Sequence, residues 1–150
     1  MSETARTLRA AAHAAIHHGL QAGPHFADTD GRLDIVAAIF VGATGKTPHA
    51  FTTDNSTASL LIETNEPTMA AIYAVSDAIG TDVPTDSETG APCHIEHLAY
   101  WQADKQHTTG QPPTDAEVVD LLLRAANAAD TKAAPERPAP AFVPRQRAAA

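Results

Sequence analysis

The chain has 150 residues and a net charge of −8, and 43% of its residues are hydrophobic. Alanine supplies 32 of those hydrophobic residues, whereas Leu, Ile, Val and Phe together number only 27, or 18% of the chain. This composition excludes a large, aromatic-rich enzyme core and lies just inside the range of disordered chains.

The first predicted helix runs from about residue 4 to residue 18. Leu8, Ile16 and several alanines share one face of it, and Gly19 suits its C-terminal end. After turn residues comes the apolar segment 35–43, whose periodicity alone does not separate a buried helix from a buried strand. We favour a helix there, because alanines lie at its centre and Asp34 can cap its start.

The middle of the chain alternates polar and apolar segments. Residues 44–57 are mostly Thr, Gly, Pro, Asn and Ser and predict a loop, and a short element is expected around residues 58–63. Residues 67–79 keep a helical period that includes Tyr73 on the apolar side, and Gly80 ends the helix.

The sequence from residue 81 to about residue 130 predicts two more helices. A polar loop over residues 81–91 precedes a helix from about residue 93 to residue 103. Thr114 and Glu117 have the spacing of a capping box, in which each side chain satisfies a backbone N–H group, so a helix begins there.

These elements predict an all-α fold, namely a small single-domain bundle of four to five short helices with long polar loops, over residues 1–130. Residues 131–150 are rich in Ala, Pro and Arg and predict a disordered tail. The tail has four basic residues and one acidic residue, so it carries +3 and the preceding 130 residues carry −11.

Charge and composition limit the classes of function. An acidic body argues against a broad nucleic-acid surface, which leaves only the tail for such contacts. The longest apolar run, residues 35–41, is far shorter than the roughly 20 residues that a membrane span needs. With no signal peptide visible and a single cysteine, we expect a cytoplasmic protein without an intrachain disulfide, and we predict no cofactor.

Two familiar ligand motifs are incomplete. The segment 42–47 ends in Gly-Lys-Thr like a phosphate-binding loop, but Phe40 stands where the first glycine is needed. Asp28, Asp30 and Gly31 suggest a calcium loop, yet its first and last ligand positions have no oxygen donors. We predict instead a helix end at the first segment and a tight turn, with Gly31 at positive φ, at the second.

The most reactive cluster of the sequence is Cys93, His94, Glu96 and His97, at the start of a predicted helix. These residues are the candidate catalytic group of a small metal- or thiol-dependent enzyme, in which His94 and His97 are the candidate metal ligands. A helix N-terminus is expected to lower the pKa of the thiol. The cluster completes no known zinc or nucleophile motif.

The absence of a complete catalytic motif favours a non-enzymatic binding or adaptor module, with the enzyme as the alternative. Its partner is expected to be a protein, bound by the acidic helical domain and the basic Pro-rich tail. Partner identity and oligomeric state stay open. The candidate partner-binding residues are Tyr100, Trp101, Phe142, Val143, Arg145 and Arg147.

Several segments together resemble a known family. They are the alanine-rich first helix and residues 26–32, 37–43, 71–80, 95–101 and 114–126. In this combination the chain resembles a family of small actinobacterial proteins of unknown function, over most of residues 4–129. Members of that family follow their tryptophan with Asn-Asp, whereas Trp101 is followed here by Gln102, Ala103 and Asp104. The resemblance implies a compact, mainly helical domain and supplies no catalytic residues.

Overall fold

The structure, a computed structural model, describes residues 1–103 and 111–133. Within these ranges the chain forms helices and isolated β-bridges but no β-strand, which confirms the all-α fold. The predicted number of four to five helices is wrong, because the described ranges contain seven. They are α1 (Glu3–His18), α2 (Ile35–Thr44), α3 (Ala50–Thr53), α4 (Asn55–Glu63), α5 (Glu66–Ile79), α6 (His94–Ala103) and α7 (Asp115–Ala133).

Helix α1 packs against α2, α5 and α7 and so lies at the centre of the bundle. The side chain of Ser2 caps it by accepting a hydrogen bond from the Ala5 N–H, and Gly19 ends it at a φ of 85°. Its buried face consists of Leu8, Thr7 and alanines. The prediction for Ile16 is wrong, since this residue is 71% exposed. At 100° per residue Ile16 points about 80° away from Leu8, beyond the buried stripe.

Residues 35–44 form a helix, as favoured from the sequence, and two buried polar side chains hold its start. The carboxylate of Asp34 accepts a hydrogen bond from the Ala37 N–H at 2.8 Å. The Gln102 side chain, which comes from α6, accepts one from the Ile35 N–H at 2.8 Å and donates one to the Gln21 carbonyl at 3.1 Å. Gln102 thereby fixes α6 to the beginning of α2.

Helices α1 and α2 cross in backbone contact at Gly42. A Cβ atom at this position would lie 2.6 Å from the backbone nitrogen of Ala11 and 2.7 Å from the carbonyl oxygen of Thr7. Only a residue without a side chain fits, because these neighbours are backbone atoms of a packed helix and cannot rotate away. Gly42 therefore belongs to a helix–helix contact and not to a phosphate-binding loop.

The predicted loop over residues 44–57 is wrong in its second half, where α3 lies and α4 begins. Phe51 of α3 is fully buried, and its ring lies 5.6 Å from that of Phe26 and 5.2 Å from that of Phe40. Asp54 then caps α4 by accepting hydrogen bonds from two backbone N–H groups. Tertiary packing and a cap thus form helices from residues with low helix propensity.

The predicted turn at Gly31 is confirmed. Gly31 has a φ of 87°, and its N–H donates to the Asp28 carbonyl at 3.0 Å. The Asp28 carboxylate already has partners within the turn. It accepts hydrogen bonds from the N–H groups of Asp30 and Arg32 and forms an ion pair with the Arg32 guanidinium.

Helix α7 begins at the predicted capping box and closes the bundle. The Thr114 N–H donates to Glu117 Oε1 at 2.8 Å, and the Glu117 N–H donates to Thr114 Oγ1 at 3.2 Å. The helix continues to Ala133, three residues past the predicted domain boundary at residue 130. The rest of the predicted tail lies outside the described residues. No helix in the described ranges combines the length and apolar character that crossing a membrane requires.

The two ends of the described domain are joined by one carboxylate. Asp130 of α7 accepts hydrogen bonds from the Ser2 N–H at 2.8 Å and from the Arg9 guanidinium at 2.8 Å. Arg9 also donates to the side chain of Asn127 at 2.9 Å. These contacts hold the N-terminal half of α1 against the C-terminal half of α7.

We expect Gly42→Ala to destabilise the fold, although alanine in a helix interior normally gains about 1 kcal/mol over glycine. The added methyl group would force α1 and α2 apart, which we expect to lower the free energy of unfolding by about 1–3 kcal/mol. Urea denaturation measures the change. Ala43→Gly is the matched control and should cost only about 1 kcal/mol. A Gly42→Ala protein as stable as the wild type would contradict the backbone contact.

Burial raises the pKa of Asp34 to about 7, against an ordinary value of 3.8. The folded protein therefore binds a proton more tightly than the unfolded chain, and this stabilising contribution is lost as the pH rises from about 4 through 7. Asp34→Asn keeps the capping oxygen and removes the charge. We expect the wild type to lose about 1–4 kcal/mol relative to this variant between pH 4 and pH 8. Denaturation curves of both proteins, recorded at several pH values across that range, provide the measurement. If the stabilities of the two proteins changed with pH by the same amount, the raised pKa of Asp34 would be contradicted.

Candidate functional site

The four candidate residues of the sequence lie at the start of α6, and among the described residues they form no group that could hold a metal ion. Cys93 precedes the helix, is half-buried, and accepts a hydrogen bond from the His97 N–H through its carbonyl at 3.1 Å. Burial raises the pKa of the Cys93 thiol, and the negative charge of Glu96 raises it further. The expectation of a lowered thiol pKa is therefore wrong, because desolvation outweighs the backbone N–H groups of the helix start.

His94 and His97 converge on a hydroxyl group that belongs to another helix. The Nδ1 atom of His97 lies 2.6 Å from Oγ of Ser76, and the Nδ1 atom of His94 lies 2.9 Å from the same oxygen. Ser76 belongs to α5 and is 3% exposed. The spacing of the two histidines thus brings both imidazoles to one serine.

A second hydroxyl completes the network. Oγ1 of Thr81, just beyond the end of α5, lies 2.8 Å from Nε2 of His97. Both ring nitrogens of the buried His97 are therefore hydrogen-bonded. Burial lowers the pKa of His97, and the positive charge of a protonated His94 would lower it further. Since the unfolded chain takes up this proton more readily, His97 costs stability as the pH falls below about 6.5.

Proton counting shows how these groups can share their hydrogen bonds. Ser76 has one proton, so it donates to one imidazole and accepts from the other. If Nδ1 of His97 accepts, its Nε2–H donates to Thr81, while His94 donates to Ser76. If Nδ1 of His97 donates to Ser76 instead, the Ser76 hydroxyl donates to Nδ1 of His94, and the Thr81 hydroxyl donates to Nε2 of His97. Protonation of both imidazoles would leave the Ser76 hydroxyl proton without either histidine as acceptor, so the network suits at most one imidazolium.

This network links α5 and the residue just beyond it to α6 through hydrogen bonds. Within residues 1–103 and 111–133, no group of three or more His, Cys, Asp and Glu side chains is arranged to hold a metal ion. Among the same residues no carboxylate is hydrogen-bonded to His94 or His97, so the orienting acid of a nucleophilic triad is missing there. Ser76 is also buried, so its hydroxyl group has little access to solvent.

Ser76 and Thr81 are the residues that the sequence analysis missed. Ser76 follows the buried Ile72 by one helical turn and therefore lies on the same face of α5. A hydroxyl group on a buried face needs a hydrogen-bond partner, so the position of Ser76 in the helical period could have indicated from the sequence that it contacts another polar group. The identity of the partners came from α6, which is distant in the sequence.

The outer edge of the network leads to an open groove. The ring of Tyr73 makes an edge-to-face contact with His94 at 4.7 Å between centroids. Tyr73 was expected on the buried face of α5, but it is 48% exposed. It stands instead at the surface between α5 and α7.

The groove runs between the N-terminal end of α1, helix α5 and the C-terminal half of α7, and it has a volume of about 570 Å³. Most of its surface is apolar, and short side chains form its floor. Its lining consists of Ser2, Thr4, Ala70, Tyr73, Ala74, Asp77, Ala78, Ala125, Ala128, Ala129, Lys132 and Ala133. A second depression of about 300 Å³ adjoins it, because both share Thr4 and Ala70, and Glu3, Glu66 and Pro67 complete its lining.

The predicted partner-binding residues lie elsewhere or cannot be placed. Tyr100 is 43% exposed on α6, whereas Trp101 is half-buried and packs against the core. Neither lines the groove. The predicted tail positions Phe142, Val143, Arg145 and Arg147 lie outside the described residues.

The helices and the groove define a small all-α domain with a wide apolar concavity between α1, α5 and α7. The chain belongs to the DUF6197 family, a family of unknown function, which matches residues 1–128. The expected membership in a family of unknown function is thus confirmed, and the match ends before the tail. No curated protein and no solved structure is similar enough to the chain to be matched.

We expect Ser76→Ala to destabilise the fold, because it removes the oxygen atom that bridges the two imidazoles. Leaving the ring nitrogens of the buried His97 and the half-buried His94 without this partner should lower the free energy of unfolding by about 1–3 kcal/mol. Ser59→Ala on α4 is the control, and this half-buried serine should change stability by no more than about 0.5 kcal/mol. Equal effects of the two substitutions in urea denaturation would contradict the bridging role.

Proposed function

We propose that this protein is a non-enzymatic binding module, and that its α1–α5–α7 groove binds an apolar protein segment flanked by basic residues. The observation that carries the proposal is the groove itself. Its volume of about 570 Å³ falls in the range of roughly 300–1,000 Å³ that is typical of ligand pockets. It is formed by ordered helices, so a ligand would meet a preformed surface.

The floor of the groove determines what kind of side chain it accepts. Seven alanines line it, at positions 70, 74, 78, 125, 128, 129 and 133. Short side chains on both helices leave room between them that larger apolar side chains of a ligand can fill. Tyr73 adds an exposed aromatic ring of the kind that often dominates binding energy at interfaces. The occupant should therefore present bulky aliphatic or aromatic groups.

The charges around the groove determine what should flank those groups. Asp77 lines the groove, and Glu3 and Glu66 line the adjoining depression. Lys132 is the only basic residue of the two linings. The sequence of residues 1–130 carries a charge of −11 and adds a long-range attraction for cations. Arginine or lysine next to an apolar core would therefore favour binding and speed association.

The proposal can be tested by selecting short random peptides from a display library against the full chain. We expect the enriched peptides to share an apolar centre with flanking Lys or Arg. Their binding should be abolished by Ala128→Arg, which places a long cationic side chain in the groove. Ala116→Arg is the matched control, since Ala116 is exposed on the same helix outside the groove.

Fluorescence polarisation of the selected peptides provides the affinities. Circular dichroism should show the same helix content for both arginine variants, so that loss of binding is not loss of fold. Enriched peptides that bind the two variants equally well would overturn the groove as the binding surface. Failure to enrich any shared sequence pattern would overturn the proposed function as a whole.

A further inference from the structure

The groove opens at the point where the described part of the chain ends. Ala133 is the last described residue of α7, and it lines the groove together with Lys132 and Ala129. Whatever follows Ala133 in the sequence therefore starts at the edge of the groove. This placement makes the next residues of the same chain the nearest candidate occupant.

The sequence after Ala133 has the chemistry that the groove favours. Residues 141–143 are Ala-Phe-Val, which include the only bulky apolar residues after Ala133. Arg137 precedes them, and Arg145 and Arg147 follow them. This segment thus has an apolar centre and basic flanks, and it follows soon after the residues that line the groove. The groove is apolar and has acidic residues at Glu3, Glu66 and Asp77.

The connection is long enough for this segment to reach the groove. Residue 141 lies eight residues beyond Ala133, and an extended chain of that length covers up to roughly 26–29 Å. The groove wall from Ala70 to Ala78 is eight residues of helix, or about 12 Å. Four prolines between residues 135 and 144 restrict the backbone and reduce the entropy lost on binding.

We infer that residues 137–147 bind this groove within their own chain. Phe142 and Val143 pack on the alanine floor, and the flanking arginines face the acidic residues around it. This inference rests on the proposed function and adds a regulation to it, because the bound segment must leave before a partner can bind. The short tether supplies an effective concentration on the order of 1 mM, so even a weak contact keeps the groove substantially occupied.

A paramagnetic label tests the inference on the full chain. Gln146→Cys in a Cys93→Ser background provides one site for a nitroxide beside the proposed contact residues. We expect the label to broaden the methyl resonances of Ala74, Ala78 and Ala128 in the groove. The methyl group of Ala22, beyond the opposite end of α1, is the internal reference and should stay sharp.

Substitutions and mixing identify what causes the broadening. Phe142→Ser and Ala128→Arg should abolish the selective effect, whereas Ala116→Arg should retain it. Equal broadening at Ala22 and in the groove would overturn the inference. Broadening that appears only between labelled and isotope-enriched chains in a mixture would also overturn it, since the segment would then bind a second copy.

The two proposals fail in different ways. If selected peptides bind the groove but the label broadens nothing there, the groove binds partners and the segment does not regulate it. If the label broadens the groove but no peptide pattern is enriched even against the Phe142→Ser chain, whose groove is free, the binding function is wrong and the contact is intramolecular only. If both hold, Phe142→Ser should tighten the binding of the selected peptides at least twofold.

Discussion

The close crossing of α1 and α2 at Gly42 is the constraint on which the rest of the bundle depends. Backbone atoms of Thr7 and Ala11 occupy the space that a side chain would need. Because α1 also packs against α5 and α7, its distance from α2 sets the position of these two helices relative to α2. Alanine on the buried face of α1 serves the same end, since short side chains let helices approach and gain dispersion contacts despite the scarcity of bulky residues.

Buried polar groups provide the specificity that such a thin core lacks. Asp34 and Gln102 both hold the start of α2, and Gln102 brings α6 to that point. Ser76 joins two histidines of α6 to α5. Each hydrogen bond contributes little net stability, about 1 kcal/mol, but any other helix register would leave these groups unsatisfied at a higher cost. Apolar contacts between alanines allow many registers, and the polar contacts select one.

The groove is a consequence of the same composition. Alanines that pack tightly in the interior cannot fill the surface between α5 and α7, so the concavity there stays open. Its neighbours are acidic, in keeping with the charge of the whole domain. The imidazoles of His94 and His97 on α6, by contrast, are hydrogen-bonded to the hydroxyl groups of Ser76 and Thr81 and help to hold α6 against α5. The binding function that we propose rests on the shape and charge of the groove.

Local chemistry made much of the fold predictable. Gly19, Asp34, Gly80 and the Thr114–Glu117 capping box act on backbone groups within a few residues of themselves, so their helices follow from the sequence. Helix α3 could not be recognised in this way. Its formation depends on Phe51 reaching the rings of Phe26 and Phe40, which are distant along the chain.

The candidate site shows the same division. His94 and His97 stand out in the sequence because their spacing places them near each other on one helix. That they meet Ser76, that Cys93 is desolvated instead of activated, and that Gly42 touches α1 are properties of distant segments packed together. Helix ends and periodicity depend on neighbours in the chain, whereas contacts, burial and the groove exist only once the helices have been placed against one another.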